Sequence, residues 1–572
     1  MAQPQHRWFP RPPDFDRRGL LTDLTAGLTL AVIMVPQAMA YGLLAGVPPV
    51  YGLYAALVPL LIYGLLASTP HVNVGPTALA SLLCLSGLNG LAEPGTERYI
   101  EYAVTLAGLT GVLQLLFGVF RLGALVSLLS RPVISGFVSA AAILIVASQL
   151  KSLFGIDVGR ADSFLETLRV FFSRLGTADG LTMLLSSLTL LALVLGSWLV
   201  PRFPTMLVWI VAATIGVAVL GLDARGIAVV GELPAGVPDF ALPRLDGAML
   251  LELLPVALVL ALISFVETLS IGKSFAPRYG YYRVRPNREL VALGLSKVLG
   301  SFFRAIPTSA SFSRSAVLEG GGARTAAAGG VAFVLLLLVL LFFTPAFYYL
   351  PIPVLAAIIV YSVRKLFDWR EARRLLKLAP KEFATLLITF LFTLLFGLQI
   401  GIAGGVVLSI VFVLLRASRP HLAELGRVPG TNAFRNVERF TDAEIDPALL
   451  LARFDAELYF GNAEYFRDRL LELVDTKGTR LRAVILDAHT INDLDTSGLF
   501  ALEQLHESLA ERGVELHLTG VIGPVRDILF RSGFMAKLGP DRQFWSVQDA
   551  LRHLRGAGAG RDWDLPAVQH RP

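Results

Sequence analysis

The chain has 572 residues, 54% of them hydrophobic and 16% charged, with a mean hydropathy of +0.64. An ordinary soluble domain carries about 25% charged residues, so the composition points to an integral membrane protein. The net charge of +6 is then no nucleic-acid signal, because Lys and Arg collect on the cytoplasmic side of membrane proteins, and the single cysteine, Cys84, excludes a disulfide framework.

The first 20 residues are basic and Pro-rich with no apolar core, unlike a cleaved signal peptide. They read as an N-terminal cytoplasmic segment before a transporter domain over 21–420. Apolar segments then run from about Leu24 to about Leu415. With roughly 20 residues per crossing, spans are predicted near 24–44, 50–67, 76–90, 102–120, 131–150, 182–200, 204–222, 252–275, 288–303, 313–319, 325–345, 352–363, 382–398 and 400–418. The third and tenth are too short to cross. A helix from Pro76 to Leu88 would be about 20 Å long, against about 30 Å of hydrocarbon.

Charge supports the count. With a cytoplasmic N-terminus, the inside loops hold Arg121 and Arg131, Arg202, then Arg278, Arg283, Arg285 and Arg288, then Arg324. The last holds Arg364, Lys365, Arg370, Arg373, Arg374, Lys377 and Lys381. The outer side carries Glu93, Glu97, Glu101, Asp223, Glu232, Asp239 and Asp246. This is the bias that a fourteen-span chain with both termini inside requires.

From about Gly430 the pattern changes. VILDA (484–488) reads as a buried strand, TSGLFALEQLHESLAERG (496–513) as an amphipathic helix, VELHLTG as a second strand and PVRDILFRSGF as a second helix. Alternating strands and helices predict a small cytoplasmic α/β domain over 430–555, followed by a tail at 556–572.

Sliding the chain by about 230 residues lays AVIMVPQAMAYG (31–42) over ALISFVETLSIG (261–272), where Ala, Ile and Gly coincide. The short segments fall third and tenth, which are matching positions in two seven-span halves. An odd repeat length sets the halves in opposite orientations. Paired short or Gly/Pro-interrupted segments are the sequence pointer to a transporter site.

VGPTALASLLC puts Pro76 at a predicted first helical position, where its missing N–H costs nothing. SFSRS supplies a second helix start, with hydroxyls from Ser311, Ser313 and Ser315. Two facing helix N-termini make an anion site, to which Arg314 adds fixed positive charge. The plainer reading is a re-entrant bend whose Arg pairs with a carboxylate.

Glu267 is the one carboxylate well inside span 8. Three roles stand open for it: a proton carrier travelling with an anion, a static ion pair with Arg314, and a sodium ligand. Gln37 and Tyr41 share a helix face just after Pro36 and can line the site from span 1, with Thr77 a further lining candidate. The alternative is a kinked helix with satisfied polar groups. Lys297 is expected to snorkel or pair, His71 lies too near a membrane edge to assign, and Ser497 is expected to be a helix cap. No metal cluster, nucleotide loop or catalytic triad is visible, so no cofactor and no enzymatic activity are expected.

PQAMAYGLLAGVPPVYGLY (36–54), NVGPTALASL and SFSRSAVLEGGGARTAAAG resemble the first-, third- and tenth-span patterns of the sulfate permease family, also called solute carrier family 26. The C-terminal part is similar to a STAS domain. The resemblance implies a polytopic α-helical membrane protein of a 7+7 inverted repeat with core and gate domains, a homodimer, and an elevator-like movement. By motif position it implies an anion site of Gln37, Tyr41, Thr77, Ser313 and Arg314, with Glu267 at the place of the acidic residue of proton- or cation-coupled members.

Together these readings predict a proton-coupled carrier of a dicarboxylate, sulfate or bicarbonate in a bacterial inner membrane. Sodium coupling is the variant. An uncoupled anion channel, an exchanger or a sensor-motor is the alternative, and a nucleobase permease is a more distant rival.

Overall fold

The computed structural model describes residues 16–556 apart from 124–129, 157–162, 201–204, 245 and 365. Most of the N-terminal segment, the tail from 557, Arg202 and Lys365 therefore lie outside the described residues. The chain divides into two compact units, Met1–Ser409 and Ile410–Pro572.

The first unit is helical. It holds α1 (Arg17–Leu44), α2 (Pro49–Leu66), α3 (Ala78–Leu88), α4 (Glu97–Val119), α5 (Arg131–Phe154), α6 (Phe164–Ser173), α7 (Gly180–Leu199) and α8 (Thr205–Leu220). The second half follows with α9 (Gly247–Phe275), α10 (Pro286–Ser301), α11 (Phe312–Gly320), α12 (Ala327–Leu338), α13 (Ile352–Val363), α14 (Trp369–Leu378), α15 (Pro380–Phe396) and α16 (Leu398–Ser418).

Setting aside α6 and α14, these are the fourteen expected segments, seven in each half. Among the described residues, eight helices are long and apolar enough to cross a bilayer. The α7 surface shows why composition demands lipid: Leu184, Leu188, Leu191 and Leu195 are all exposed and repeat at helical spacing along one stripe. The sequence reading missed α6 and α14. They are ten-residue amphipathic helices, FLETLRVFFS and WREARRLLKL, too short and too charged to register as spans. Side-chain caps from Ser163 and Asp368 start them.

The spans sort into two groups by packing. In the core, α1, α2 and α12 pack together, and α10 packs on α2 and α4, with α9 on α4. In the gate, α5 packs on α15 and α13, and α13 on α7. α2 crosses α1 at backbone contact, because a Cβ on Gly52 would lie 1.9 Å from the Ala38 carbonyl oxygen. Only glycine permits that approach, and it fixes the stretch of α1 that carries Gln37 and Tyr41.

The two halves meet at a short antiparallel pair, β1 (Val74–Gly75) with β2 (Ser309–Ala310), in register Val74–Ala310 and Gly75–Ser309. Each strand leads within three residues into a short helix, α3 or α11.

The second unit is α/β. β3 (Leu422–Arg427), β4 (Phe434–Asn436), β5 (Leu449–Phe454), β6 (Ala483–Asp487), β7 (Glu515–Thr519) and β8 (Gln543–Phe544) form one sheet in the order β4-β3-β5-β6-β7-β8. β5 through β8 are parallel, and β3 is antiparallel to both its neighbours. Alternation builds two cores. Leu450, Ala452, Val484 and Leu486 join one, and Leu449, Leu451, Ala483 and Ile485 the other. α17 (Ala463–Lys477), α18 (Thr496–Glu511), α19 (Gly523–Arg531) and α20 (Phe534–Leu538) contribute to the first core, and α21 (Val547–Arg555) to the second.

Candidate functional site

The site is built where β1 and β2 hand over to α3 and α11. Thr77 caps α3, its hydroxyl accepting from Ala80 N at 3.3 Å, and Ser311 caps α11, accepting from Arg314 N at 3.4 Å. Pro76 is therefore not the first helical residue as expected. It sits one position before the cap, because the Thr77 hydroxyl satisfies a helix N–H that a proline cannot. SFSRS likewise lies across the cap and first turn of α11 rather than ahead of it. With 11 and 9 residues, both helices reach only about half-way through a bilayer.

Arg314 is fully buried. Its Nε donates to Asn73 Oδ1 at 2.6 Å and its Nη1 to the Pro76 carbonyl at 2.9 Å. Asn73 is further tied by Ser315, whose Oγ accepts from Asn73 N at 2.9 Å, and by Ser311 N, which donates to Asn73 O at 2.9 Å. Nη2 has no partner. It lies over Gly75, where a Cβ would come within 3.2 Å of it and within 3.4 Å of Met34 Cε. A buried guanidinium with two prongs anchored and one free is poised to take an anion at the third.

Gln37 and Tyr41 are buried on α1, three and seven residues beyond Met34. Among the described residues the Gln37 amide oxygen is unpartnered, as are the buried Asn73 Nδ2 and Thr308 Oγ1, each next in chain to the strand pair, and Ser81 Oγ on α3. Ser311 is half-buried and its Oγ lies 3.2 Å from that of Ser313, which is exposed. The structure thus gathers Thr77, Ser311 and Arg314 at the two helix starts, leaves Ser313 at the open side, and places Gln37 and Tyr41 on one turn-spaced face of α1.

Glu267 forms no ion pair with Arg314, which corrects the static-pair expectation. Its Oε2 accepts from the hydroxyl of Ser309 on β2, while Arg314 is spent on Asn73 and Pro76. On its other side the Glu267 carboxyl faces oil. Val133, Phe137 and Val138 of α5, and Ile402 of α16, line with it a cavity of about 30 Å³. Glu267 therefore stands on the surface of the core that meets the gate.

Lys297 does not snorkel. It is fully buried, and its Nζ donates to Gln114 Oε1 at 2.8 Å, with Ser264 Oγ at 3.4 Å. The Gln114 amide is held in turn by Ala261 O at 2.9 Å and Ser264 Oγ at 2.7 Å. Ser264 is three residues before Glu267, so the Lys297 amine contacts α9 within one helical turn of the carboxyl-bearing residue.

Sequence reasoning missed Asn73, Ser309, Gln114 and Glu289. Asn73 begins the NVGPT motif and Ser309 precedes SFSRS, but neither carries a charge to flag it. Glu289 is a fully buried carboxylate satisfied by Tyr63 Oη at 2.5 Å, Ser68 N at 2.9 Å and Ser68 Oγ at 2.5 Å, which fastens α10 to the end of α2. His71 is buried, with Nδ1 3.0 Å from Tyr282 Oη, Nε2 2.8 Å from Ala323 O, and its ring stacked on Tyr279. Ser497 is not the cap of α18. Asp495 takes that place, accepting from Gly498 N at 2.7 Å, and Ser497 falls in the first turn. No group of three or more His, Cys, Asp or Glu able to hold a metal occurs among the described residues.

Comparison with known proteins bears on this arrangement. Residues 20–389 match the model of the sulfate permease family, and residues 441–550 match that of the STAS domain. A probable sulfate transporter of Mycobacterium tuberculosis is 34% identical over 544 residues, covering 95% of this chain and 96% of that one. Sulfate transporter 4.1, chloroplastic, of Arabidopsis thaliana is 35% identical over 546 residues, covering 93% and 79%. The solved structure of the murine solute carrier 26 family member A9 anion transporter, in its inward-facing state, superposes with a TM-score of 0.85 at 25% identity, covering 95% of this chain and 92% of that one.

Proposed function

Because the chain belongs to the sulfate permease family of anion transporters, we propose that it carries sulfate, or an oxyanion of similar size, by proton symport. The anion sits between the starts of α3 and α11. It takes hydrogen bonds from Arg314 Nη2, from the hydroxyls of Thr77, Ser311 and Ser313, and from the Gln37 amide and Tyr41 phenol of α1. The observation that carries this reading is the unpartnered Nη2 of a fully buried arginine, aimed at a glycine floor between two helix N-termini.

Glu267 carries the coupling proton in this reading. A charged carboxylate slid along the apolar wall of Val133, Phe137 and Ile402 is expensive, so the core moves past the gate when Glu267 is neutral. That gives an elevator-like step in which proton and anion travel together. Two copies form a homodimer in a bacterial inner membrane, with both termini cytoplasmic. The basic loops and the bacterial relative support that orientation and setting.

Uptake of labelled sulfate into proteoliposomes, competed by unlabelled bicarbonate and dicarboxylates, tests the substrate assignment. Sulfate should be the strongest competitor of its own uptake. Stronger competition by a dicarboxylate or bicarbonate would reassign the substrate.

A further inference from the structure

We infer that the soluble domain holds a second anion site, for a phosphate group, beside the end of the last span. His421, Arg435, Asn436, Arg439, Arg453 and Asp455 enclose a cavity of about 360 Å³, at the small end of the ~300–1,000 Å³ range of ligand sites. The antiparallel β4-β3-β5 edge assembles it. Arg453 comes from β5, Arg435 and Asn436 from β4, and His421 lies immediately before β3.

The charges do not cancel. Asp455 is the one carboxylate in the lining, and it is already taken. Arg453 binds it through Nε at 2.5 Å and Nη2 at 3.2 Å, and His421 Nδ1 lies 3.1 Å away. Burial opposes its ionisation, but the bonds from Arg453 and His421 outweigh burial and hold the carboxyl below its usual range. His421 is oriented from the other side by the Asn436 amide, whose Nδ2 is 3.3 Å from Nε2. Arg435 donates only to the Phe434 carbonyl at 3.3 Å, and neither it nor Arg439 has an ion-pair partner among the described residues. Two guanidinium forks are left open on one cavity, and paired forks match the oxygens of a phosphate.

The position says where such a group comes from. α16 ends at Ser418, three residues before His421, a reach of at most about 10 Å. Asn462 Nδ2 donates to the Ala417 carbonyl at 3.4 Å, tying the helix end to the same domain. Arg416 and Arg419 flank that end. His421 thus follows the end of α16 by only three residues of chain, and the headgroup of an anionic lipid or a soluble phosphate would present the same chemistry.

The full-length protein and an R435Q/R439Q double variant in nanodiscs provide the test. Both side chains are exposed, so the variant should keep the wild-type unfolding midpoint without added anion. In mixed phosphatidylcholine and phosphatidylglycerol, native mass spectrometry should find phosphatidylglycerol retained by the wild type, with retention about tenfold weaker in the variant. In phosphatidylcholine alone, a rise in midpoint with inorganic phosphate that the variant loses would assign the site to a soluble phosphate. Equal lipid retention together with equal phosphate response in the two proteins would overturn the site.

Discussion

Arg314 Nε stands 2.6 Å from Asn73 Oδ1, although 241 positions of chain separate them. Asn73 precedes β1 and the first short helix, and Arg314 lies on the second. With the β1–β2 pair, this hydrogen bond ties the two inverted halves together at the point where both helices begin. The same guanidinium joins the halves through Nε and Nη1 and leaves Nη2 without a partner among the described residues.

Arg314→Lys keeps the charge but loses the fork, since an ammonium cannot bond Asn73 and Pro76 and still present a fixed donor to an anion. Sulfate affinity should fall about 100-fold, corresponding to about 2.7 kcal/mol, with the protein still folded by size exclusion. Isothermal titration that finds wild-type affinity would remove Arg314 from the site.

Gly75→Ala probes the floor beneath Nη2. A Cβ there comes 3.2 Å from Nη2 and 3.4 Å from Met34 Cε, so the guanidinium must shift by a few tenths of an ångström. The KM for sulfate should rise on the order of tenfold, with expression unchanged. An unaltered KM would mean that the free prong is not the anion donor.

How much of this was legible beforehand depends on what kind of signal each residue emits. The fourteen spans, the two short helices and Arg314 announce themselves by hydropathy and charge. α6 and α14 do not, because amphipathic helices of ten residues resemble charged loops. The Glu267–Arg314 pairing looked reasonable from charge alone. The fold instead gives Glu267 to Ser309 and Arg314 to Asn73, neutral partners that no charge pattern flags. For Lys297 the sequence leaves snorkelling and pairing both open, since the glutamine that solvates it is 183 positions away.

Gln114 is that glutamine, and its removal should be costly. Gln114→Leu strips the buried Lys297 ammonium of its main acceptor, which should destabilise the detergent-solubilised protein by about 2–3 kcal/mol. Adding Lys297→Met should restore much of the loss, because the stranded charge is then gone. A double variant less stable than the single one would contradict this account.

The soluble domain should weaken in acid. Burial lowers the His517 pKa, a shift that its Glu515 contact only partly offsets, and burial also lowers that of His506. The unfolded chain then binds protons more readily than the folded one, so stability is lost as pH falls below about 6.5, the ordinary histidine value. Amide protection factors along 515–519, corrected for the intrinsic exchange rate at each pH, should be lower at about pH 5.5 than at pH 7.5, and His517→Gln should flatten the difference. Equal protection at both values would argue against it.

The central claim is that Glu267 couples the anion to a proton. The most direct measurement is sulfate uptake into liposomes under an inward proton gradient, by the wild type and by Glu267→Gln. The wild type should accumulate sulfate above equilibrium, an excess abolished when the gradient is collapsed, and the variant should equilibrate without accumulation. Accumulation by both proteins alike, or equilibration without accumulation by the wild type, would contradict it.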